Sequence, residues 1–264
     1  MRPTTKLIAL LTDFGTRDWY VGTLKAILLS RCPTAHLVDI THEVPPQDTV
    51  AGAFTLAAAA PWFPSGTVFL AVVDPGVGSA RALLAIRADG RYFVGPDNGV
   101  LTLSVQQAKR VTVLRLTNPR YWLPHVSRTF QGRDIMAPVA AHLARGGSFT
   151  RLGVVLPRQQ MTPLAIPGLQ SRGHTVHGAI VHIDTFGNLI TNLPGRLLTA
   201  GPSARGAVRY RRRPVRVVSS YAEGRPNELI AVVGSLELIE LAVRDGSAAW
   251  MFNARRGEDV VLSA

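Results

Sequence analysis

The chain has 264 residues, of which 47% are hydrophobic and 17% are charged, so it can bury one large core or two modest ones and is not a disordered protein. Its single cysteine, Cys32, excludes an internal disulfide framework and a zinc site built from cysteine pairs, and it favours a cytoplasmic location. The formal net charge of +12 suggests nucleic-acid binding, but no helix-turn-helix, RNP-type strand or basic helix accompanies that charge.

Up to about residue 165, apolar strand-like runs alternate with stretches of helical spacing, a pattern typical of parallel α/β folds. The predicted strands cover residues 7–11, 35–40, 68–73, 83–87, 92–95 and 111–116, and the predicted helices cover residues 19–30, 48–60, 99–107 and 134–144. Residues 1–11 are basic and apolar but end at Asp13 without a small-residue cleavage site, so they predict a strand and not a signal peptide. Prolines interrupt the most apolar stretch, residues 51–73, which argues against a membrane span.

A segment rich in proline, glutamine and glycine, residues 156–173, predicts a linker. Beyond it, short strands separated by turns predict a small β-barrel from residues 178–184, 189–192, 207–212, 215–220, 229–233 and 260–262. We therefore predict two domains, residues 1–165 and residues 174–264. The barrel carries an arginine cluster that we interpret as a solvated strand pair and not as a nucleic-acid site: Arg205, Arg209, Arg211, Arg212, Arg213 and Arg216.

The segment from Asp74 to Arg81 says most about function. It follows a continuous apolar run, residues 68–73, of the kind that forms a strand buried on both faces. Asp74 is therefore expected at the carboxyl end of a strand, where open α/β sheets bind their ligands. Gly76 and Gly78 let the loop turn back, so that Arg81 can pair with Asp74. An ion pair that only stabilises a turn explains this segment by itself equally well.

Six motifs, in one order and spread over nearly the whole chain, resemble the S-adenosylmethionine hydroxide adenosyltransferase family, relatives of the fluorinases and chlorinases. The motifs are Thr12–Gly15, Asp74–Gly78 with Arg81, Gly95–Gly99, Thr129–Ile135, Ile183–Leu189 and Gly246–Ala249. The resemblance implies a Rossmann-like amino-terminal domain, a β-barrel carboxyl-terminal domain and a homotrimer that binds its ligand between subunits. It also implies cleavage of S-adenosylmethionine by water to adenosine and methionine, without a metal or other cofactor.

By resemblance, an Asp-Arg-His set handles the attacking water. Asp74 and Arg81 match its first two members, but where the family usually reads Phe-His-Gly-Arg-Asp this chain has Gln131. Glutamine cannot accept a proton at neutral pH as imidazole does, although it can hold a water by hydrogen bonds. A carboxylate beside an arginine is a poor base, so Asp74 is expected to orient the water. His125, six residues before Gln131, is the histidine most able to replace the missing base.

Two further residues of the first domain are candidates for substrate binding. The resemblance implies that Asp13 accepts both ribose hydroxyls, and its position after the first strand agrees with that role. A helix cap is the alternative for Asp13, given Gly15 and Thr16 after it. Phe130 would stack on the adenine, although a phenylalanine before a turn is more often part of the core.

Four residues of the predicted barrel are candidates by the same resemblance. Asp184 would bind the methionine ammonium group, Asn188 the adenine edge, and Ser235 the methionine carboxylate. The backbone of Ala249 would also meet the adenine. An Asx turn at a hairpin is the alternative for Asp184 and Asn188, and an ordinary loop hydroxyl is the alternative for Ser235.

Histidines near the start of the predicted barrel are the candidate metal ligands in this sequence. His174, His177, His182 and Asp184 include two side chains on one face of a strand, but His174 and His177 lie at the end of the linker, so solvated histidines are expected and no metal is predicted.

The predicted function is hydrolysis of S-adenosylmethionine, slowed by Gln131. The alternatives are a non-catalytic protein that binds adenosine or S-adenosylmethionine, and an adenosyltransferase that uses a halide. Asp74 argues against the halide, because a carboxylate beside the nucleophile repels an anion.

Overall fold

The structure is a computed structural model that describes residues 6–198 and 207–263. These residues form two compact units, with the division between Ala165 and Ile166. Arg205 of the arginine cluster lies outside the described residues. Within the two described ranges, no helix is long and apolar enough to cross a membrane.

A seven-stranded mixed sheet forms the centre of the first unit, as described from residue 6 onward. Its strands are β1 (Leu7–Thr12), β2 (His36–Thr41), β3 (Val68–Val72), β4 (Leu83–Ala88), β5 (Arg91–Pro96), β6 (Val111–Leu116) and β7 (Gly153–Leu156). They follow the order β2-β1-β3-β5-β4-β6-β7. The strands β2, β1, β3 and β5 run parallel to one another, whereas β4, β6 and β7 pair antiparallel with their neighbours.

Helices cover both faces of this sheet. They are α1 (Tyr20–Arg31), α2 (Thr49–Ala59), α3 (Thr102–Gln106) and α4 (Ala137–Ala144). Successive side chains of β1 point to opposite faces: Ile8 packs in one core with residues of α1 and α4, and Ala9 packs in the other with residues of α2 and α3. β3 is buried along its whole length, as its continuous apolar run predicts. The predicted Rossmann-like α/β unit is confirmed.

The sequence pattern missed the antiparallel half of the sheet. β4 and β5 are joined by a tight turn in which Asp89 and Gly90 both have positive φ, and a connection this short can only link antiparallel strands. The strand β7 ends at Leu156, where the linker was predicted to begin. Its neighbouring residues Val154 and Val155 are both exposed at the sheet edge, so buried and exposed side chains do not alternate along β7. The sequence of this segment therefore lacks the alternating pattern by which a half-buried strand is recognised.

The second unit contains a closed seven-stranded β-barrel, which confirms the predicted architecture. The strands of this unit are β8 (Gln170–Arg172), β9 (Thr175–Ile183), β10 (Leu189–Pro194), β11 (Ala207–Tyr210), β12 (Arg213–Val217), β13 (Leu229–Val233), β14 (Leu238–Val243) and β15 (Asp259–Ser263), with a short helix, α5 (Ala248–Met251). The barrel follows the order β10-β14-β13-β12-β11-β15-β9 and is closed by pairing of β9 with β10. β8 pairs with the free edge of β9.

Two of these strands were not predicted. β8 lies inside the predicted linker and consists of three exposed polar residues, so only its pairing with β9 makes it a strand. β14 is buried over nearly its whole length, and Glu240 interrupts its apolar run, so it shows neither alternation nor a continuous apolar pattern. Along β11, buried Val208 and Tyr210 flank exposed Arg209, so this arginine of the cluster faces solvent.

Candidate active site

Two of the predicted acidic residues lie at the same edge of the sheet. Thr12 at the end of β1 pairs in register with Val72 at the end of β3. Asp13 follows the first of these residues, and Asp74 lies two residues after the second. The carboxyl ends of neighbouring parallel strands thus carry both side chains, in the position where α/β sheets bind ligands.

Asp74 and Arg81 form a buried bidentate ion pair. Nε of Arg81 donates to Oδ1 of Asp74 at 2.6 Å, and Nη2 of Arg81 donates to Oδ2. Only 6% of the Asp74 side chain and 9% of the Arg81 side chain are exposed. The predicted return of Arg81 to Asp74 is confirmed, and the two parallel hydrogen bonds hold the carboxylate in one orientation.

Glycines allow the loop after β3 to contact the segment that carries Gln131. Gly78 has φ of +81°, and a Cβ atom there would lie 2.6 Å from the carbonyl oxygen of Arg128. A Cβ atom on Gly132 would lie 3.0 Å from Cγ1 of Val72. A larger residue at Gly78 would therefore push the two loops apart.

Gln131 completes a network with the ion pair. Its Oε1 accepts a hydrogen bond of 2.8 Å from Nη2 of Arg81, so the guanidinium group bridges the carboxylate and the amide. The three predicted catalytic residues are thus in direct contact, although fifty residues separate Arg81 from Gln131 in the chain. The amide fixes the guanidinium but supplies no group that accepts a proton at neutral pH.

Asp134 positions the segment that carries Gln131, a role that the sequence interpretation missed. We expected Asp134 in the first turn of an α-helix, but it lies in a π-helical turn, Gly132–Met136, and α4 begins only at Ala137. Its fully buried carboxylate accepts hydrogen bonds from Nε of Arg133 at 2.6 Å and from the backbone N–H of Ser127 at 2.7 Å. The hydrogen bond to Asp134 raises the pKa of Arg133. The feature of the sequence that could have indicated this role is the adjacent pair of opposite charges in Gly-Arg-Asp.

Asp13 is not a helix cap, so that alternative is wrong. The helix α1 begins at Tyr20 after Trp19, which makes no side-chain capping bond. Instead, Oδ2 of Asp13 accepts a hydrogen bond of 2.8 Å from the backbone N–H of Gln47, which has φ of +65°. The carboxylate is therefore held at the sheet edge by the loop that leads into α2.

Phe130 belongs to an aromatic cluster and is 8% exposed. Its ring packs edge-on against Phe14, Trp19 and Tyr20, with centroid distances of 5.4 to 5.8 Å. The guanidinium carbon of Arg133 lies 5.0 Å from its centroid. This packing favours the core interpretation of Phe130 over stacking on an adenine.

His125 is exposed in the loop before Gln131. Within residues 6–198, no hydrogen bond or ion pair connects it with Asp74, Arg81 or Gln131. The geometry thus gives no support to His125 as a replacement for the missing imidazole.

In the barrel, Asp184 and Asn188 form a self-contained turn between β9 and β10. Oδ1 of Asp184 accepts hydrogen bonds from the backbone N–H groups of Phe186 at 2.9 Å and Asn188 at 2.8 Å. Oδ2 accepts Nδ2 of Asn188 at 2.9 Å. The Asx-turn alternative is therefore correct as a description of this hairpin, and the amide oxygen of Asn188 is the polar atom that these bonds leave for a ligand.

The last predicted motif packs against this turn. The backbone N–H of Ala249 donates to the carbonyl oxygen of Gly187 at 2.9 Å, and its carbonyl oxygen accepts from Ala254 at 2.9 Å. Only the second lone pair of the Ala249 carbonyl oxygen is thus left for a ligand. The backbone of Ala249 can therefore contact the adenine only as a hydrogen-bond acceptor. Ser235 is exposed in the turn between β13 and β14.

A buried acid near Asp184 was missed because it lies on the unpredicted strand β14. Glu240 is 5% exposed and accepts a hydrogen bond of 2.8 Å from the hydroxyl group of Tyr221. Burial raises the pKa of Glu240, and it also raises the pKa of Tyr221. The negative charge of Asp184 acts in the same direction on both groups.

Large aromatic side chains are exposed beside the candidate residues of both units. Phe186, inside the Asx turn, is 76% exposed, and Trp250, next to Ala249, is 83% exposed. In the first unit, Trp19 of the aromatic cluster is 58% exposed. Exposed apolar groups beside polar candidate residues are typical of binding surfaces.

The described residues contain no group of three or more His, Cys, Asp or Glu side chains placed to hold a metal ion. His177, one of the histidines considered for such a site, contacts Asp259 on β15 at 3.1 Å from Nδ1.

Comparison with known proteins gives family matches over most of the chain. The model of the SAM hydroxide adenosyltransferase N-terminal domain matches residues 8–153, and that of the C-terminal domain matches residues 178–261. A Thermus thermophilus protein named (R)-S-adenosyl-L-methionine hydrolase is 39% identical over 99% of this chain and 100% of its own. A fluorinase from Actinoplanes is 30% identical over 71% of each chain.

A crystal structure of an uncharacterized conserved protein from Thermotoga maritima has the same fold. It superposes with a TM-score of 0.87 at 33% sequence identity, covering 97% of this chain and 100% of its own.

Proposed function

The chain belongs to the S-adenosylmethionine hydroxide adenosyltransferase family, and we propose that it hydrolyses S-adenosyl-L-methionine to adenosine and L-methionine. The observation that carries the proposal is the buried network of Asp74, Arg81 and Gln131 at the ligand-binding edge of the sheet. Greater identity and coverage with the Thermus hydrolase than with the Actinoplanes fluorinase also favour water as the nucleophile.

The reaction needs little proton chemistry before the bond breaks. Water attacks the ribose 5′ carbon, a C–O bond forms, and the C–S bond breaks with its electron pair going to sulfur. Methionine leaves as a neutral thioether and needs no acid. The site must therefore align the water and exclude competing orientations, which is the contribution expected from fixed hydrogen-bonding groups.

In this proposal the Asp74 carboxylate accepts a hydrogen bond from the attacking water. That hydrogen bond orients the water so that a lone pair on the water oxygen points at the ribose 5′ carbon. Arg81 keeps the carboxylate in place, and Gln131 keeps Arg81 in place. The first product is a protonated 5′-hydroxyl group, which is a strong acid, so even the weakly basic Asp74 carboxylate accepts its proton and passes it to solvent. Without the usual histidine no better base assists the attack, so we propose a slow enzyme.

The substrate contacts are part of the proposal. Asp13 would accept hydrogen bonds from the ribose hydroxyls through Oδ1, the carboxylate oxygen that does not bind the N–H of Gln47. At the barrel, Asn188 would contact the adenine edge with its amide oxygen, and Asp184 would attract the methionine ammonium group by charge. Ser235 would bind the methionine carboxylate, and the Ala249 carbonyl would contact the adenine.

We further propose a cytoplasmic homotrimer in which each site lies between subunits. The exposed aromatic side chains Phe186 and Trp250 on the barrel, and Trp19 on the first unit, support an interface at both groups of candidate residues. Light scattering tests the trimer, and a monomer at micromolar concentration would remove the shared-site proposal.

The test of the reaction is product analysis in water labelled with heavy oxygen. We expect many turnovers per protein molecule, with the label in the 5′-hydroxyl group of adenosine and none in methionine. An Asp74→Asn variant purified in parallel controls for contaminating hydrolases. Release limited to one equivalent would favour the alternative of a product-trapping binding protein, and unlabelled adenosine would contradict attack by water at carbon.

A further inference from the structure

A buried histidine lies beside the loop that carries Asp13, and it has no part in the reaction proposed above. Strands β1 and β2 pair in parallel up to Leu11 and Thr41, and Thr12 and His42 are the residues that follow. Thr12 is fully buried and His42 is 4% exposed. Burial of an imidazole is costly unless its nitrogens have partners, so both ring nitrogens should face polar groups.

The two ring nitrogens of His42 do face polar side chains. Nδ1 lies 2.8 Å from Oγ1 of Thr12, and this oxygen also accepts a hydrogen bond of 3.3 Å from the backbone N–H of Phe14. Nε2 lies 3.1 Å from Oδ1 of Asp39, although it makes no well-aligned hydrogen bond among the described residues. The other oxygen of Asp39, Oδ2, accepts a hydrogen bond of 2.6 Å from Nζ of Lys25.

The charge of Asp39 determines which ring nitrogen carries the proton. Burial raises the pKa of Asp39, but the hydrogen bonds from Lys25 and His42 lower it further, so that the pKa lies below its usual value. Asp39 is therefore a carboxylate at neutral pH, and its negative charge favours a proton on Nε2 of His42. Nδ1 of the neutral ring is then an acceptor, and the Thr12 hydroxyl group donates to it.

His42 is bonded to residues on both sides of Asp13. Its side chain binds Thr12, and its backbone carbonyl oxygen accepts a hydrogen bond of 2.8 Å from the N–H of Gly15, which has φ of +65°. The Asp13 carboxylate itself binds the N–H of Gln47 through Oδ2. The loop that begins at His42 therefore fixes the backbone around Asp13 and one of its two oxygens, and Oδ1 is the oxygen left for a ligand.

We propose that His42 is a positioning residue for nucleoside binding: its imidazole ring holds Thr12 and thereby aims Oδ1 of Asp13 at the ribose hydroxyls. Asp39 orients the ring, and the ring itself does not touch the ligand. A buried hydrogen-bonded network of this kind keeps a site in its bound geometry before the ligand arrives, which reduces the cost of ordering the site on binding. The inference rests on the proposed function of Asp13 as the acceptor for the ribose hydroxyls. The alternative is a ring that only fills space in the core.

Calorimetry with adenosine tests this role through variants of the ring. His42→Phe removes both nitrogens and should weaken adenosine binding about tenfold, the scale of one buried hydrogen bond. His42→Asn should restore most of the affinity, because its amide oxygen can replace Nδ1 as the acceptor for the Thr12 hydroxyl. His142→Phe, at a partly buried histidine of α4, is the control and should bind adenosine as the wild type does. Full affinity in His42→Phe would overturn the proposal, as would a loss that His42→Asn does not restore.

A change of ligand separates positioning from a general effect on the fold. The nucleoside 2′,3′-dideoxyadenosine lacks both hydroxyls, so His42→Phe should hardly change its affinity. In a protein that already carries Asp13→Ala, His42→Phe should likewise have little further effect on adenosine binding, because the group that it positions is gone. Equal losses for the two nucleosides, or additive losses in the double variant, would show a merely structural role.

Kinetics apply the same test to the substrate. The proposed enzyme is slow, so its KM follows the dissociation constant of S-adenosylmethionine. His42→Phe should raise KM about tenfold and leave kcat nearly unchanged, because no hydrogen bond or ion pair among the described residues connects the ring with Asp74, Arg81 or Gln131. A fall in kcat with an unchanged KM would contradict a role in ribose binding.

Two further measurements decide the proposal if His42→Phe does not fold. Asp39→Asn removes only the charge that orients the ring, and it should weaken adenosine binding in the same direction but by less. In NMR spectra of wild-type protein labelled with nitrogen-15 at histidine, the signal that is absent from His42→Asn should show a neutral ring with its proton on Nε2. A proton on Nδ1, alone or together with Nε2, would remove the acceptor for Thr12 and overturn the proposal.

Failure of the proposed reaction is distinguishable from failure of this inference. A protein that binds adenosine but releases no product from S-adenosylmethionine would reject the reaction, and the adenosine affinities would still decide the role of His42. A protein that does not bind adenosine would reject both.

Discussion

The candidate residues at the sheet edge and those at the barrel end are organised in different ways. At the sheet edge, Asp74, Arg81 and Gln131 come from two loops far apart in the chain, and each is held by another member of the set. At the barrel end, Asp184 bonds to Phe186 and Asn188 within one turn. The ring of Phe186 nevertheless stays exposed.

This difference separates a preorganised site from a surface that awaits a partner. Fixed dipoles and charges that need no rearrangement are what alignment of a water requires, and the sheet edge already has them. The barrel end combines a rigid polar turn with exposed aromatic rings, as expected of a surface that becomes buried when a ligand or second subunit binds. Chemistry should therefore respond to changes at the first region, and affinity or assembly to changes at the second.

The largest expected effect is a gain. Gln131→His should raise turnover of S-adenosylmethionine by about 10²- to 10⁴-fold, the usual contribution of a positioned general base, with little change in affinity. Activity should fall below about pH 6.5, the unperturbed pKa of histidine, as the imidazole becomes protonated. Gln131→Leu is the control that removes the hydrogen bond without adding a base. Equal turnover by the histidine variant and the parent would mean that no base is needed.

Asp74→Asn should lower turnover by at least about 10²-fold, because the water loses the charged group that orients it and Arg81 loses the negative charge with which it pairs. The affinity for adenosine should be nearly unchanged. Asp97→Asn is the matched control, since Asp97 also follows a parallel strand at this edge, and the hydrogen bond that its side chain accepts from the described residues comes from the backbone N–H of Thr162. Steady-state kinetics and calorimetry measure both quantities, and similar losses in the two variants would show a general effect on the fold.

Asp13→Ala should weaken adenosine binding by roughly 2 to 4 kcal/mol if the carboxylate accepts two ribose hydroxyls, since hydrogen bonds to charged groups contribute about 1.5 to 3 kcal/mol each. The same substitution should weaken the binding of 2′-deoxyadenosine much less, because this nucleoside lacks one of the two hydroxyls. Asp13→Asn keeps an acceptor for the N–H of Gln47 and so separates loss of the loop from loss of the charge. Equal calorimetric losses for the two nucleosides would indicate that Asp13 serves only the loop.

Trp250→Ala should weaken the proposed assembly by about 2 kcal/mol, the scale of a central aromatic residue at an interface. Because a trimer dissociates into three subunits, the midpoint concentration varies as the square root of the dissociation constant, and light scattering over a dilution series should show dissociation at about 5-fold higher concentration than for the wild type. Trp62→Ala, on an equally exposed tryptophan of the first unit, is the control. An unchanged dissociation curve for Trp250→Ala would place the interface elsewhere.

The smallest effect concerns Glu240, whose pKa is raised by burial. A carboxyl group with a raised pKa in the folded state lowers stability as pH rises from its unfolded pKa through the folded one. Glu240→Gln should therefore increase the free energy of unfolding at pH 7 relative to the wild type, and the difference should shrink toward pH 4. Glu237→Gln, in the exposed turn before β14, is the control in denaturant titrations. A difference that grows on acidification would contradict this assignment.

Much of the fold was predictable because burial leaves a periodic or continuous apolar pattern. β3 is such a case, since a short, continuous run of apolar residues between turn-forming residues is typical of a strand buried between two layers. The pairing of Arg81 with Asp74 was predictable too, because glycines and a short loop bring opposite charges together. Strands without such a pattern, β7, β8 and β14, were missed.

By itself, the sequence determined the α/β unit, the barrel and the residue types at each loop, because local patterns of burial and turn-forming residues specify them. Only the tertiary structure decided that Gln131 reaches Arg81 and that Asp134 bonds to Ser127 and so holds the loop that carries Gln131. It also decided that Asp13 bonds to Gln47 and does not cap a helix. These contacts join residues from seven to fifty positions apart, and their geometry follows from how strands and loops pack, which no local pattern encodes.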